Sequence, residues 1–170
     1  RFLQTQMCFD MDLLRRYIKY RGFALKHVMN ITDVDDKIIK GALEAGMPIQ
    51  EFTKPYVEAF LEDMEKLRIE KPDLTPFATE HIDEMVELVA KLQEKGHTYE
   101  SNGSTYFRIS TFPNYGKLSR VDLSESPGTA PTDADEYTKE NPRDFVLWKA
   151  KKEEGEASWE TSLGTGRPGW

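Results

Sequence analysis

The stretch Asn30-Ile31-Thr32-Asp33-Val34-Asp35-Asp36-Lys37-Ile38-Ile39 constrains this chain more than any other. A mostly apolar run, Phe23 to Met29, reads as a short strand that feeds a polar turn, and the turn opens directly into a helix. In an open α/β sheet, ligands sit just beyond the carboxyl end of a strand, beside a helix N-terminus. Thr32 offers a hydroxyl there, and Asp33, Asp35 and Asp36 put negative charge where the helix dipole favours it. The same residues also have a purely structural use, because a Thr or Asp cap with carboxylates in the first turn is ordinary helix-start chemistry. The residues alone leave both readings open. A calcium loop is rejected, since the required glycine and the bidentate glutamate are missing from their positions.

Composition bounds the rest. The chain has 170 residues, 38% of them hydrophobic, enough to bury a core as one domain or two small ones. No apolar run approaches the roughly 20 residues needed to span a bilayer, and there is no secretory h-region. The single cysteine, Cys8, excludes an intramolecular disulfide framework and a zinc site built on several thiolates. It fits a reducing compartment, so a cytoplasmic location is expected. A net charge of −7 argues against broad adhesion to nucleic acid while leaving room for a local basic face. The chain opens at Arg1 and stops at Trp170 after a Gly/Pro-rich run, and a piece of a longer protein is the expectation.

Along the chain, the spacing predicts a helix from about Thr5 to Tyr20, with Phe9, Leu13, Leu14, Tyr17 and Ile18 as its apolar face. Arg15, Arg16 and Lys19 fall mostly off that face, and Gly22 stops the helix. A second helix runs from about Asp35 to Ala45, stopped by Gly46. Helix, strand and helix at such short spacing suggest part of a parallel α/β sheet. The character then changes. Gln50 to Leu67 and Thr79 to Lys95 each carry one apolar face, and pairing them as an antiparallel hairpin is the economical arrangement. Ser101-Asn102-Gly103-Ser104 between β-rich runs predicts a hairpin, and Asp144 to Lys149 another strand. Asp122 to Asn141 reads as an irregular surface loop, Lys151 to Glu154 as a solvated turn, and Gly164 to Gly169 as a loop.

Four segments in one order carry a resemblance. They are His27 to Ile39, Tyr115-Gly116-Lys117-Leu118-Ser119-Arg120, Asn141 to Lys149, and Gly166-Arg167-Pro168-Gly169-Trp170. Together they resemble the signature strings of cysteinyl-tRNA synthetases, over almost the whole chain. The resemblance implies an α/β fold, a partial Rossmann-like parallel sheet of a class I synthetase carrying an inserted α+β connective domain. On that map, residues 1–46 belong to the first part of the Rossmann-like catalytic domain. Residues 47–160 form the connective insertion, and residues 161–170 return to the catalytic domain. The implied activity is ATP-dependent activation of cysteine as cysteinyl-adenylate, then its transfer to tRNA(Cys). The implied cofactors are ATP with Mg2+ and one zinc ion in the complete enzyme.

The family's ATP signature loops and zinc ligands find no match in these 170 residues. The resemblance therefore implies no catalytic residue and no metal ligand in this chain, which by itself is expected to be inactive. Two positions match places where the family contacts cysteine, Thr32 and Trp170. Both are expected to reach one cleft rim at the open end of the sheet. Zinc holding the substrate thiolate would supply the discrimination against serine, while a hydroxyl and an indole shape the pocket. Lys117 and Arg120 are candidate tRNA contacts, with Arg15, Arg16, Lys19 and Arg21 a weaker second group, since phosphates or solvent can satisfy either. Cys8 is assigned to core packing, and His27, His81 and His97 to structural roles. Two alternatives stand beside the synthetase: a cysteine-adenylating ligase with an amino-sugar acceptor, of the mycothiol type, and a non-catalytic tRNA-binding remnant.

Overall fold

The computed structural model describes residues 2–120, 139–141 and 143–169, with side chains from residue 8 onward. Its contacts divide the chain into two compact units, Arg1–His81 and Ile82–Trp170. Among the described residues no helix is long and apolar enough to cross a membrane.

The first unit begins with helix α1 (Phe2–Tyr20), which ends where Gly22 turns at φ +83°. Its packing inverts the expectation from sequence. Phe9, Leu13, Leu14 and Tyr17 are exposed, whereas Asp12 and Arg15 are buried. The opposite side of the helix instead meets the carbonyl-rich stretch 68–71, whose backbone groups need charged partners more than they need apolar contact. Arg15 donates to the carbonyls of Glu70 (2.7 Å) and Lys71 (3.0 Å), and Arg16 to that of Arg68 (2.8 Å). Asp12 accepts from the Glu70 amide at 2.9 Å and from Arg16 Nε at 2.7 Å.

Helix α2 (Asp36–Ala45) buries Ile39 and Ala42 and closes on Gly46, whose left-handed φ of 64° suits glycine. The amides of Gly46 and Met47 then cap the carbonyls of Leu43 and Ala42. Helix α3 (Ile49–Lys66) follows at once and packs on α2. Gly41 lets the Phe52 ring approach the α2 backbone, since a Cβ there would stand 2.6 Å from the ring and displace it. α3 thus packs on α2, where the sequence had paired it with the helix after Thr79. The two helices of the expected pair fall in different compact units.

The strand expected at Phe23 to Met29 is extended but irregular. Its pairing is parallel, as anticipated, and consists of two isolated bridges, Val28 with Leu74 and Ile31 with Phe77. Parallel strands persist when both faces are covered, and here Phe23 and Val28 are exposed.

The first unit closes on a 3-10 turn (Ala78–His81), and the second opens with helix α4 (Ile82–Glu94), which ends at Gly96, φ +74°. Strands β1 (Thr98–Ser101), β2 (Ser104–Phe107), β3 (Phe145–Ala150), β4 (Trp159–Thr161) and β5 (Gly164–Pro168) form one antiparallel sheet in the order β1-β2-β3-β5-β4. The chain as a whole is mixed α/β. The Asn102-Gly103 hairpin forms as its sequence dictates, both central residues having positive φ (51° and 75°). Its core is aromatic. Tyr106 and Trp148 are the largest fully buried side chains, Tyr99 stacks on Tyr106 at 5.4 Å, and Phe107 stacks on Phe145 at 5.1 Å.

The run read as a Gly/Pro-rich loop, Gly164 to Gly169, is mostly the internal strand β5, between β3 and β4. Composition misled because glycine and proline normally weaken strands. Here Gly166 is required by closeness: a Cβ would collide with the Lys149 carbonyl and lie 2.7 Å from Trp148 Nε1. Pro168 sits at the strand's end, and Gly169 N–H still reaches the Leu147 carbonyl at 2.9 Å. The loop expected at Asp122 to Asn141 lies outside the described residues up to 138.

Gly166→Ala is expected to cost about 3 kcal/mol in urea unfolding, because backbone must move to admit the methyl. Gly164→Ala has open space around it. Its cost should be only the left-handed backbone penalty of about 1 kcal/mol. Equal losses at the two positions would contradict the close-packing argument.

Candidate functional site

Residues 28–35 hold the group of side chains singled out by the sequence. Burial alternates along residues 30–33, as in an extended backbone, and the pattern ends at Val34, which is buried next to Asp33. Ile31 and Asp33 are buried, while Asn30 and Thr32 are exposed on the other side. Backbone bonds fix this alternation. Met29 N–H donates to the Leu74 carbonyl (3.1 Å), Ile31 N–H to the Pro76 carbonyl (2.8 Å), and Ala78 N–H to the Ile31 carbonyl (3.0 Å).

Asp33 then locks the far end. Its carboxylate accepts from the Thr79 amide at 3.0 Å and from the Thr79 hydroxyl at 2.5 Å. Only 5% exposed, Asp33 carries a charge that is compensated by two hydrogen bonds. The helix cap falls two residues later. Asp35, with φ −156° and ψ 176°, accepts from the Ile38 amide at 2.7 Å, and Asp36 lies in the first turn of α2. Of the two uses left open by the sequence, Asp35 takes the cap, whereas Asp33 serves a tertiary clasp that no local pattern reveals.

Thr32 is therefore not the helix cap, and α2 makes no use of its hydroxyl. Thr32 Oγ1 accepts a hydrogen bond from Asn30 Nδ2 at 3.2 Å and lies on the exposed side of the segment. Asn30 was not singled out in the sequence. The available signal was the Asn-x-Thr spacing itself, which puts both side chains on one side of an extended backbone. The other residue expected in a pocket, Trp170, lies outside the described residues.

Of the two basic groups, the one on α1 and its exit is spent inside its own unit. Besides Arg15 and Arg16, Lys19 Nζ meets Glu70 Oε2 at 2.6 Å, and Arg21 bonds the Tyr17 hydroxyl at 3.0 Å. Lys117 and Arg120 are exposed on a run of turns beyond Tyr115, whose ring stacks on Phe145 at 6.2 Å. In the same unit, Glu156 accepts the amides of Lys152 and Glu153 and forms a buried ion pair with Arg167 on β5, a contact the sequence reading missed. Charged residues in a polar run carry no local mark of burial.

The zinc implied by the resemblance finds no matching donor set among the described residues. Among the described residues no three His, Cys, Asp or Glu side chains come together as a metal group. Cys8 is half-buried in α1, and burial pushes its thiol above the ordinary value, away from a ligating thiolate. No step through zinc or ATP is assigned to these residues. His97 Nδ1 lies 2.9 Å from the Thr111 hydroxyl, and desolvation together with Arg15 holds the His27 imidazole below its usual pKa.

Comparison with known proteins adds an independent observation. A family model described as the catalytic domain of class I tRNA synthetases (C) matches residues 3–170. A cysteine–tRNA ligase of Solibacter usitatus is 53% identical over 159 residues, covering 94% of this chain and 34% of that protein. Those of Koribacter versatilis and Chlamydia pneumoniae are 53% and 49% identical, over 32% and 34% of their lengths. The chain thus spans about a third of the length of these curated relatives.

Two variants test the geometry. Asp33→Ala strands the part-buried Thr79 amide and is expected to cost about 2 kcal/mol, read by chemical unfolding, with faster exchange at that amide. For Asp12, burial acts to raise the pKa, but the Arg16 bond, the Glu70 amide and the Arg16 and Arg15 charges outweigh it and hold the carboxyl below its usual range. A depressed carboxylate stabilises above its unfolded pKa and loses that contribution as pH falls through its folded one. Asp12→Asn should therefore lower Tm at neutral pH and flatten its decline as pH falls below the ordinary aspartate range. An unchanged acid slope would remove Asp12 from that role.

Proposed function

Because the chain belongs to the family of class I (C) tRNA synthetase catalytic domains, we propose that it is part of an ATP-dependent ligase that activates cysteine as cysteinyl-adenylate and attaches it to tRNA(Cys). The observation that carries this reading is the family match over residues 3–170, together with cysteine–tRNA ligases about half identical over 94% of the chain. Residues 1–46 then form the first part of the Rossmann-like catalytic domain, residues 47–160 the connective insertion, and residues 161–170 the return into the catalytic domain. In this reading the complete enzyme works in the cytoplasm with ATP, Mg2+ and one zinc ion, whose ligands lie outside this stretch.

Thr32 and Trp170 serve the cysteine pocket. Support for Thr32 comes from the chemistry of its turn. Asp33 and Asp35 satisfy the neighbouring backbone, so the hydroxyl is left to an outside partner. Thr32 and an indole shape such a pocket, while selection against serine rests on sulfur chemistry supplied elsewhere in the enzyme. Lys117 and Arg120, exposed and basic, contact the phosphates of tRNA.

Three outcomes are expected. The full-length protein exchanges pyrophosphate into ATP when given cysteine and charges tRNA(Cys). A preference for an amino-sugar acceptor would instead favour the mycothiol-type alternative. The 170-residue chain alone shows no exchange, and measurable exchange from it would overturn the view that the reaction centre lies elsewhere. Lys117→Glu with Arg120→Glu raises the tRNA KM, leaves cysteine activation unchanged and reduces the salt dependence of tRNA binding by about one unit of slope per phosphate contact.

A further inference from the structure

Asn30 and Thr32 form an isolated polar pair on the outward side of a segment whose inward side is fixed at every step. Ile31 is held through both its amide and its carbonyl, and Asp33 through both carboxylate oxygens. Thr32 therefore has little freedom to shift, and the remaining variable is the direction of its hydroxyl hydrogen. A threonine hydroxyl carries one hydrogen and two lone pairs. Asn30 Nδ2 donates to the oxygen, so one lone pair is filled and the hydrogen has no reason to point back at Asn30.

We propose that Asn30 is a positioning residue for the amino-acid site: its amide fills an acceptor position of Thr32 Oγ1, so that the hydroxyl meets its ligand as a hydrogen-bond donor. The free hydroxyl hydrogen then suits an acceptor atom of the amino acid, a carboxylate oxygen or a thiolate sulfur. Neutral donors arranged in advance give a bound anion charge-assisted hydrogen bonds without reorganisation. The inference rests on the reading of Thr32 as a residue of the cysteine pocket, and it adds both a residue and a direction to that reading.

Aspartate at position 30 matches asparagine in shape but only accepts hydrogen bonds when ionised, so it would capture the Thr32 hydrogen. Pyrophosphate exchange by the full-length protein, measured against cysteine and separately against ATP, reads the effect. Thr32→Val is expected to raise the cysteine KM about tenfold with the ATP KM unchanged, and Thr32→Ser to restore most of it. Asn30→Asp is expected to raise the cysteine KM about fivefold or more, and Asn30→Ala about twofold, since the freed hydroxyl then samples several directions. In the Thr32→Val background neither Asn30 substitution should add anything, because the group through which Asn30 acts is gone.

Wild-type cysteine KM in both Asn30 variants, with the Thr32→Val defect intact, would overturn the role of Asn30 while leaving the pocket standing. Additive effects in the double variants, or equal changes in the KM for cysteine and ATP, would overturn it too, by showing a general structural effect. If Thr32→Val activates cysteine normally, the pocket assignment and the inference fall together. A protein that activates no cysteine at all would instead refute the proposed function. Both side chains are exposed, so the variants are expected to melt with the parent protein.

Discussion

The Asp33 carboxylate is the constraint on which the candidate site depends. A buried charge is costly unless it is compensated, and Asp33 is compensated by one residue, Thr79, through both amide and hydroxyl. The clasp joins the end of the 28–33 segment to the end of the 72–79 segment. Between them run only two isolated bridges and a few backbone bonds, too little on their own to hold an irregular parallel pair. With the clasp closed, Ile31 and Asp33 must face inward, and by the alternation of an extended chain Asn30 and Thr32 must face outward. The exposure of the Thr32 hydroxyl thus follows from the burial of its neighbour.

Elsewhere in the first unit, charge performs what hydrophobic packing usually does. The buried side of α1 is built from Asp12 and Arg15, bonded to the backbone of residues 70 and 71, while the aliphatic and aromatic stripe of the helix stays exposed. Such an arrangement tolerates substitution poorly, since removing one member of a buried polar set leaves the others unsatisfied. It also means that Arg15, Arg16 and Lys19 hold the fold together, which separates them in role from Lys117 and Arg120. The second unit follows a different rule. Its sheet is held by an aromatic core and by strand approaches that only glycine permits, at Gly166 against Lys149 and at Gly169, where a Cβ would sit 2.5 Å from the Val146 carbonyl.

Much of this was written in local pattern. The Asn102-Gly103 turn, the α2 stop at Gly46, the α4 stop at Gly96 and the strand through Phe145 to Lys149 are properties of short windows, in which backbone freedom and side-chain period decide the outcome. The partner of α3 was not legible, since it depends on a bare backbone surface at Gly41 that meets Phe52. Nor was β5, whose glycines mark tight contact and whose composition imitates a loop. For the site, Thr32 could be singled out from sequence. Asn30 could not, because the bond that matters joins two side chains whose shared direction depends on the extended backbone between them.

The amino-acid sequence by itself determined the family, the helix and hairpin boundaries, and the residue types available at the 30–36 turn, because each is set by contiguous residues or by their order. Tertiary structure alone decided which aspartate caps and which clasps, which face of α1 is buried, and which atoms of Asn30 and Thr32 meet. Those outcomes depend on groups distant along the chain, such as Thr79 for Asp33 and the carbonyls of Glu70 and Lys71 for Arg15, whose unmet hydrogen bonds exist only once the backbone has folded.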